Sequence, residues 1–189
     1  MLTEADGGYD QGYRAITGFW GTAPGSLVTE FLSRHDPSGM IVVDVGAGEG
    51  KNAAAFARRG ASVEAVECSS AAVRNGKVMF PDLGINWIKT DALDFKFPRS
   101  HYDVVVCYGL IHCLPSEAAA RRLINTLMAS VKPGGTLILV SFNDGSHDLS
   151  AHPGFHPLLL GHRWFEAFFK NGSSIPSPTP SCSRLIPIT

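Results

Sequence analysis

The chain has 189 residues, 44% of them hydrophobic and 17% charged, which suits one folded core without disulfides or metals and excludes a disordered chain. Its 16 basic and 17 acidic residues leave a net charge of −1, not the basic footprint that grips a nucleic-acid backbone. No run of about 20 apolar residues offers a spanning helix, and the start Met1-Leu2-Thr3-Glu4-Ala5-Asp6 lacks an apolar signal core, so a cytoplasmic protein without membrane contact is expected.

The first 25 residues are rich in Gly and aromatics, including Tyr9, Tyr13, Phe19 and Trp20. Pro24-Gly25-Ser26 then breaks the chain and can cap a helix over Leu27 to Arg34, with Leu27, Val28, Phe31 and Leu32 on one side. Met40 to Val45 is apolar and β-branched, as in a parallel strand covered on both faces. Gly46 to Gly50 follow directly, then an Ala-rich helix from Lys51 to Arg59. Ser62 to Val66 and Ile85 to Lys89 are the second and third strands, separated by a helix over Ser69 to Val78 capped by Ser69. Tyr102 to Tyr108 is the fourth strand. Pro115-Ser116-Glu117 opens a helix through Val131, Ser116 being its cap. Lys132-Pro133-Gly134-Gly135 ends that helix, and Thr136 to Phe142 is the fifth strand.

Strands alternating with helices specify an α/β fold, a Rossmann-like doubly wound, mostly parallel sheet flanked by helices with right-handed crossovers. Residues 1–35 are expected to form an N-terminal lid and helix, and 36–189 the core, with a divergent tail from about 171. That tail, with Asn171-Gly172-Ser173-Ser174, Pro176, Pro178, Pro180 and Pro187, does not read as central strands. The four cysteines, Cys68, Cys107, Cys113 and Cys182, contain no C-x-x-C pair, and Cys68 and Cys107 read as reduced packing residues.

In an open α/β sheet, ligands bind beyond the carboxyl ends of the strands. Gly46, Gly48 and Gly50, with Ala47 between the first two, stand there in a loop that follows a strand and opens a helix. A dinucleotide loop has G-x-G-x-x-G spacing and seats an anionic pyrophosphate at the helix N-terminus. Here the spacing is G-x-G-x-G, with Asp44 just before it. A carboxylate there opposes an anion and favours a ligand bearing an ammonium group, such as S-adenosylmethionine. Glu67 follows Gly50 by 17 residues, at the end of the second strand beside Cys68. It can accept hydrogen bonds from ribose hydroxyls, or stand as a surface acid. Asp91 can accept from an adenine amino group, with the Ala92 N–H on a ring nitrogen, or cap the turn from Ala92 to Phe95. Cys107-Tyr108-Gly109-Leu110 should line the floor between donor and acceptor.

Taken together, Val43-Asp44-Val45-Gly46-Ala47-Gly48-Glu49-Gly50, Glu67, Thr90-Asp91-Ala92, Tyr102-Asp103-Val104-Val105-Val106 and Lys132-Pro133-Gly134-Gly135 resemble the class I S-adenosylmethionine-dependent methyltransferases, over about residues 36 to 142. The resemblance implies S-adenosylmethionine as cofactor and S-adenosylhomocysteine as product. It implies that Asp44 and the glycines hold the methionine moiety, Glu67 the ribose, and Asp91 with Ala92 the adenine. Tyr13, Phe19 and Trp20 resemble the lid of small-molecule members, loosely of the tellurite-resistance and thiopurine type. The family closes its sheet with two more strands, the last antiparallel. Only Arg184-Leu185-Ile186 resembles a remnant of these, so an incomplete C-terminal strand pair is expected.

Methyl transfer from a sulfonium asks mainly for positioning and, for weakly acidic acceptors, a base. His112 in Leu110-Ile111-His112-Cys113 is a candidate base, against a plain loop histidine. His147, His152, His156 and His162, spaced by 5, 4 and 6 and broken by Pro153 and Pro157, suggest a loop over the acceptor pocket more than a metal site. Cys107-Tyr108-Gly109-Leu110 is not the Pro-Pro-aromatic stretch of amino-directed nucleic-acid enzymes, and no Pro-Cys nucleophile is present. A small-molecule acceptor is the leading expectation; a nucleotide-binding oxidoreductase and a cofactor-binding domain without catalysis are the competing ones.

Overall fold

The continuous apolar run before the glycine loop forms β1 (Ile41–Val45), whose Val42, Val43 and Val45 are fully buried. A computed structural model describes residues 9–147, 156–169 and 186–187. Beside β1 lie β2 (Ser62–Glu67) and β4 (Tyr102–Tyr108); β3 (Asn86–Lys89) and β5 (Val131–Val140) continue the sheet outward, all parallel. A two-residue strand, β6 (Ile186–Pro187), runs antiparallel against Thr136 and Leu137 of β5, giving the order β3-β2-β1-β4-β5-β6. The sheet stays open. Pro187 is tolerated because an edge strand has a side with no ladder to feed.

Successive strand residues serve opposite faces. Val43, Val45, Val105, Cys107, Leu137 and Leu139 pack with Leu123, Ile124 and Leu127 of α5 (Glu117–Ser130). Their neighbours Val42, Val104, Val106, Ile138 and Val140 pack with α2 (Ser26–Arg34) and α3 (Lys51–Ala57). The runs Val42–Val43 and Val104–Val106 are therefore apolar at successive positions because both faces are covered. Phe56 of α3 is fully buried in the second layer. Phe56→Ala should lower unfolding stability by about 3–5 kcal/mol, read from urea midpoints, since the surrounding layer closes only partly over the cavity.

The helix starts follow from local chemistry. Ser69 and Ser116 accept from Ala72 N and Ala119 N, capping α4 (Ser70–Met79) and α5 as the sequence implies. Steps from β1 to β2 to β3 run one way and from β4 to β5 the other, so the order reverses between β1 and β4. That reversal leaves a crevice at the carboxyl ends of these two strands.

Some boundaries differ from expectation. Helix α1 (Asp10–Ala15) has only six residues and no apolar period to announce it. Val131-Lys132-Pro133-Gly134-Gly135 already belongs to β5, with Gly134 at φ 75° and a slip in register between Tyr102 and Val104 that absorbs the Pro-Gly-Gly. The same strand stops at Val140, two residues before Phe142. Helix α6 (His162–Phe169) begins at the last histidine of the expected loop and carries no sequence expectation beyond it; Phe165 enters the core, and Arg121 of α5 lies 5.2 Å above the rings of Trp164 and Phe168. Arg184, Leu185, His152 and the 171–185 tail fall outside the described residues. Among the described residues, no helix is long and apolar enough to cross a membrane.

Candidate active site

A cavity of about 790 Å³ opens where the sheet order reverses. Of the residues singled out from sequence, Gly46, Ala47, Gly48, Glu67, Cys68, Asp91, Ala92, Tyr108, Tyr13, Trp20 and His112 line it. Asp44, Gly50 and Phe19 do not, and each has another task.

Asp44 is 1% exposed, and its Oδ2 accepts from Ala53 N at 3.0 Å. The carboxylate therefore lies under the loop and satisfies an orphan donor in the first turn of α3. Burial pushes its pKa up to about 7, against the pull of the Ala53 N–H. Gly50 is the N-cap of α3 at φ 81°, and a Cβ there would fall 2.4 Å from the Trp87 ring. Phe19 packs edge-on against Tyr13 and Trp20, behind the lining.

The loop is tied to the end of β2. Gly46 N and Ala47 N donate to Val66 O, and Gly48 N donates to Glu67 Oε2 at 2.8 Å. Glu67 Oε1 accepts from Ser69 N at 2.7 Å. Burial raises the Glu67 pKa while these backbone donors hold it down. A carboxylate has about four lone-pair positions, so two backbone bonds leave capacity for a ligand diol. Asp91 Oδ1 accepts from Leu93 N at 2.8 Å, so it does cap the turn after β3 while lining the cavity.

The N-terminal segment crosses the mouth as a strap. Ser69 Oγ donates to Asp10 Oδ1, Asn75 Nδ2 to Tyr13 O, and Lys51 Nζ to Trp20 O. Trp20 Nε1 donates to Tyr13 Oη, which lies 2.8 Å from where a Cβ on Gly48 would stand. A side chain at position 48 would thus displace the strap. Burial raises the Tyr13 pKa, with the Glu67 charge adding to it.

Sequence reasoning missed Glu49 as a site residue, although it stands inside the glycine loop. It is 5% exposed and lines the cavity. Its Oε1 accepts from Gly18 N of the strap and from Asn75 of α4. Its Oε2 is buried with no hydrogen-bond partner among the described residues. Such a group is costly unless a ligand donor satisfies it, so the cavity suits a ligand carrying donors or positive charge. A buried carboxylate in a Gly-x-Gly-x-Gly loop was the signal available.

The β4–β5 side differs. His112 is 4% exposed, in a short 3-10 turn, Ile111–Cys113, after β4. Its Nδ1 accepts from Phe142 N at 3.3 Å, which puts the ring proton on Nε2. Burial and then the neighbouring His147 pull its pKa down to about 4. A neutral ring whose Nδ1 lone pair is engaged is a poor general base, which favours the loop-histidine alternative over the candidate base. Of the other histidines, His147 lines the cavity, His162 pairs with Glu166 on α6, and His156 is exposed. No group of three or more metal-ligating side chains occurs among the described residues.

These two shifts oppose each other in pH. His112 titrates lower in the fold than in the unfolded chain, near 6.5, so its contribution is lost as pH falls from there toward about 4. Asp44 titrates higher, so its proton-linked stability is lost as pH rises from 3.8 toward about 7. His112→Asn removes only the first slope. Its stability relative to the parent should improve by about 2–3 kcal/mol between pH 7 and pH 4, read by urea unfolding at each pH.

A methyltransferase-domain family matches residues 42–135. An uncharacterized methyltransferase of Mycobacterium tuberculosis is 34% identical over 103 residues, which cover 54% of this chain and 51% of that protein. The chain spans about half the length of the relatives it matches. An S-adenosylmethionine-dependent methyltransferase from Mesorhizobium loti shares the fold at TM-score 0.67 and 16% identity, covering 93% of this chain and 98% of that one. Phosphoethanolamine N-methyltransferase 1 of Haemonchus contortus, solved with phosphoethanolamine and S-adenosylhomocysteine, superposes at TM-score 0.72 and 13% identity over 95% of this chain and 47% of that one. Over residues 42–135 the chain is similar to a methyltransferase domain, and its strand order and fold are those of the S-adenosylmethionine-dependent methyltransferases on which it superposes.

Proposed function

We propose that the chain binds S-adenosylmethionine in this cavity and directs its methyl group to a small-molecule acceptor. One observation carries the reading: a glycine loop, three carboxylates (Glu49, Glu67 and Asp91) and an aromatic wall share one cavity at the sheet's reversal point. Its volume, about 790 Å³, falls in the range of small-molecule sites.

When bound, the cofactor supplies an already activated methyl group on a sulfonium. The protein's share is placement. Glu67 is offered to the ribose hydroxyls, and Asp91 with the Ala92 N–H to the adenine. Gly46 to Gly48 let the backbone approach the methionine end, where Glu49 Oε2 stands in the role first expected of Asp44. Tyr13 and Trp20 cover the mouth and exclude water.

The reading is tested by thermal shift. S-adenosylhomocysteine at about 100 times its Kd should raise Tm by about 5–10 °C, with no shift from NAD. Stabilisation by NAD alone would instead favour an oxidoreductase.

A further inference from the structure

Charge is divided unevenly in the cavity. Its charged lining residues, Glu49, Lys51, Glu67 and Asp91, all lie at or just beyond the ends of β1, β2 and β3. The half that follows β4 and β5 is built from Tyr108, Leu110, His112, Leu114, Phe142 and His147, with no Asp, Glu, Lys or Arg among the described residues there. Removing an ionic acceptor from water into that half would leave its charge uncompensated, which is strongly unfavourable. An uncharged acceptor meets no such penalty.

The wall is aromatic as well as neutral. The rings of His112 and Phe142 stack with centroids 4.3 Å apart and planes at 25°; those of Phe142 and His147 follow at 4.6 Å and 33°. Tyr9 of the strap, packed edge-on against Trp20 at 5.4 Å, also lines the cavity. Planar rings gain from such surfaces beyond their buried area.

The two histidines present opposite chemistry. His112 Nδ1 is engaged by the Phe142 N–H. His147 Nε2 lies 2.8 Å from Asn143 O, so that nitrogen carries the proton and donates. The lone pair of His147 is then on Nδ1, and it can accept from a hydroxyl.

We infer that the acceptor is an uncharged planar aromatic bearing a hydroxyl group, packed against the His112–Phe142–His147 ring stack with its hydroxyl hydrogen directed to His147 Nδ1. The inference rests on the methyl-donor reading of the other half. In the reaction the hydroxyl oxygen bonds the methyl carbon, the carbon–sulfur bond breaks with its electron pair passing to sulfur, and the hydroxyl proton leaves through His147 to water. An aromatic hydroxyl suits this site because it ionises more readily than an alkyl one, and the cavity half holds no carboxylate base among its described residues.

The test uses the full chain saturated with S-adenosylhomocysteine, after binding of that ligand has itself been measured. Failure to bind it defeats the donor reading, whereas the aromatic titrations bear on the acceptor alone. Calorimetric titration then compares 2-naphthol, 2-naphthoate and 2-methylnaphthalene, which share one ring system. 2-Naphthol is expected to bind at least ~10-fold tighter than either. Phe142→Ala should weaken both neutral probes ~10-fold, and His147→Phe should level 2-naphthol with 2-methylnaphthalene. Equal or tighter binding of 2-naphthoate overturns the inference on the unmodified protein, whatever the variants do. A 2-naphthol preference that survives His147→Phe overturns the histidine's part.

Discussion

If Glu67 holds the ribose hydroxyls as proposed, Glu67→Ala should weaken S-adenosylhomocysteine binding by ~100-fold or more in a calorimetric titration. The magnitude follows from two hydrogen bonds to a charged group, each worth about 1.5–3 kcal/mol. Stability should respond less. Removing the side chain strands the N–H groups of Gly48 and Ser69, which now donate at 2.8 and 2.7 Å. It also removes a carboxylate whose own burial is unfavourable, as its raised pKa shows. The two effects oppose each other, so affinity is the sensitive readout. Glu67→Gln keeps one acceptor oxygen and should fall between the parent and the alanine variant.

Gly50→Ala has the larger effect on folding, about 2–4 kcal/mol by urea unfolding. Two costs combine. The residue sits at φ 81°, where a Cβ is strained. The Cβ would also stand 2.4 Å from the Trp87 ring, whose same end lies 2.2 Å from where a Cβ on Gly76 of α4 would stand. Overpacking of that kind costs about 1–3 kcal/mol. Gly84→Ala is the control. It has φ 64° but nothing within 4 Å of its Cβ, so it should show only the conformational cost of about 1–2 kcal/mol. Equal losses at the two positions would mean that the Trp87 contact is not part of what shapes the loop.

The sheet was largely legible in the sequence because burial on both faces writes itself as unbroken β-branched runs. β4 matches its expected span, Tyr102 to Tyr108, and the Ser69 and Ser116 caps hold their helices. Short elements were not legible. Helix α1 owes its place to Asp10 and Tyr13 meeting Ser69 and Asn75, contacts 59 and 62 residues apart that no local pattern records. Pro133 and the two glycines after it looked like a stop, yet the ladder takes them up through a register slip.

The cavity's membership was legible where a residue follows a strand end, as with Gly48, Glu67, Asp91 and Tyr108. Direction was not. Asp44 and Glu49 are both acids beside glycine, and only the three-dimensional fold puts one under α3 and the other in the cavity lining. For His112 the sequence left a base and a plain loop histidine both open, because the Phe142 N–H that engages its Nδ1 comes from 30 residues downstream.

A crystal structure of the chain grown with S-adenosylhomocysteine tests the central claim most directly. The ribose should lie on Glu67, the adenine against Asp91 and Ala92, and the sulfur toward the His112 and Phe142 half of the cavity. An adenosyl group bound elsewhere, or a cavity left empty at saturating ligand, would contradict the account.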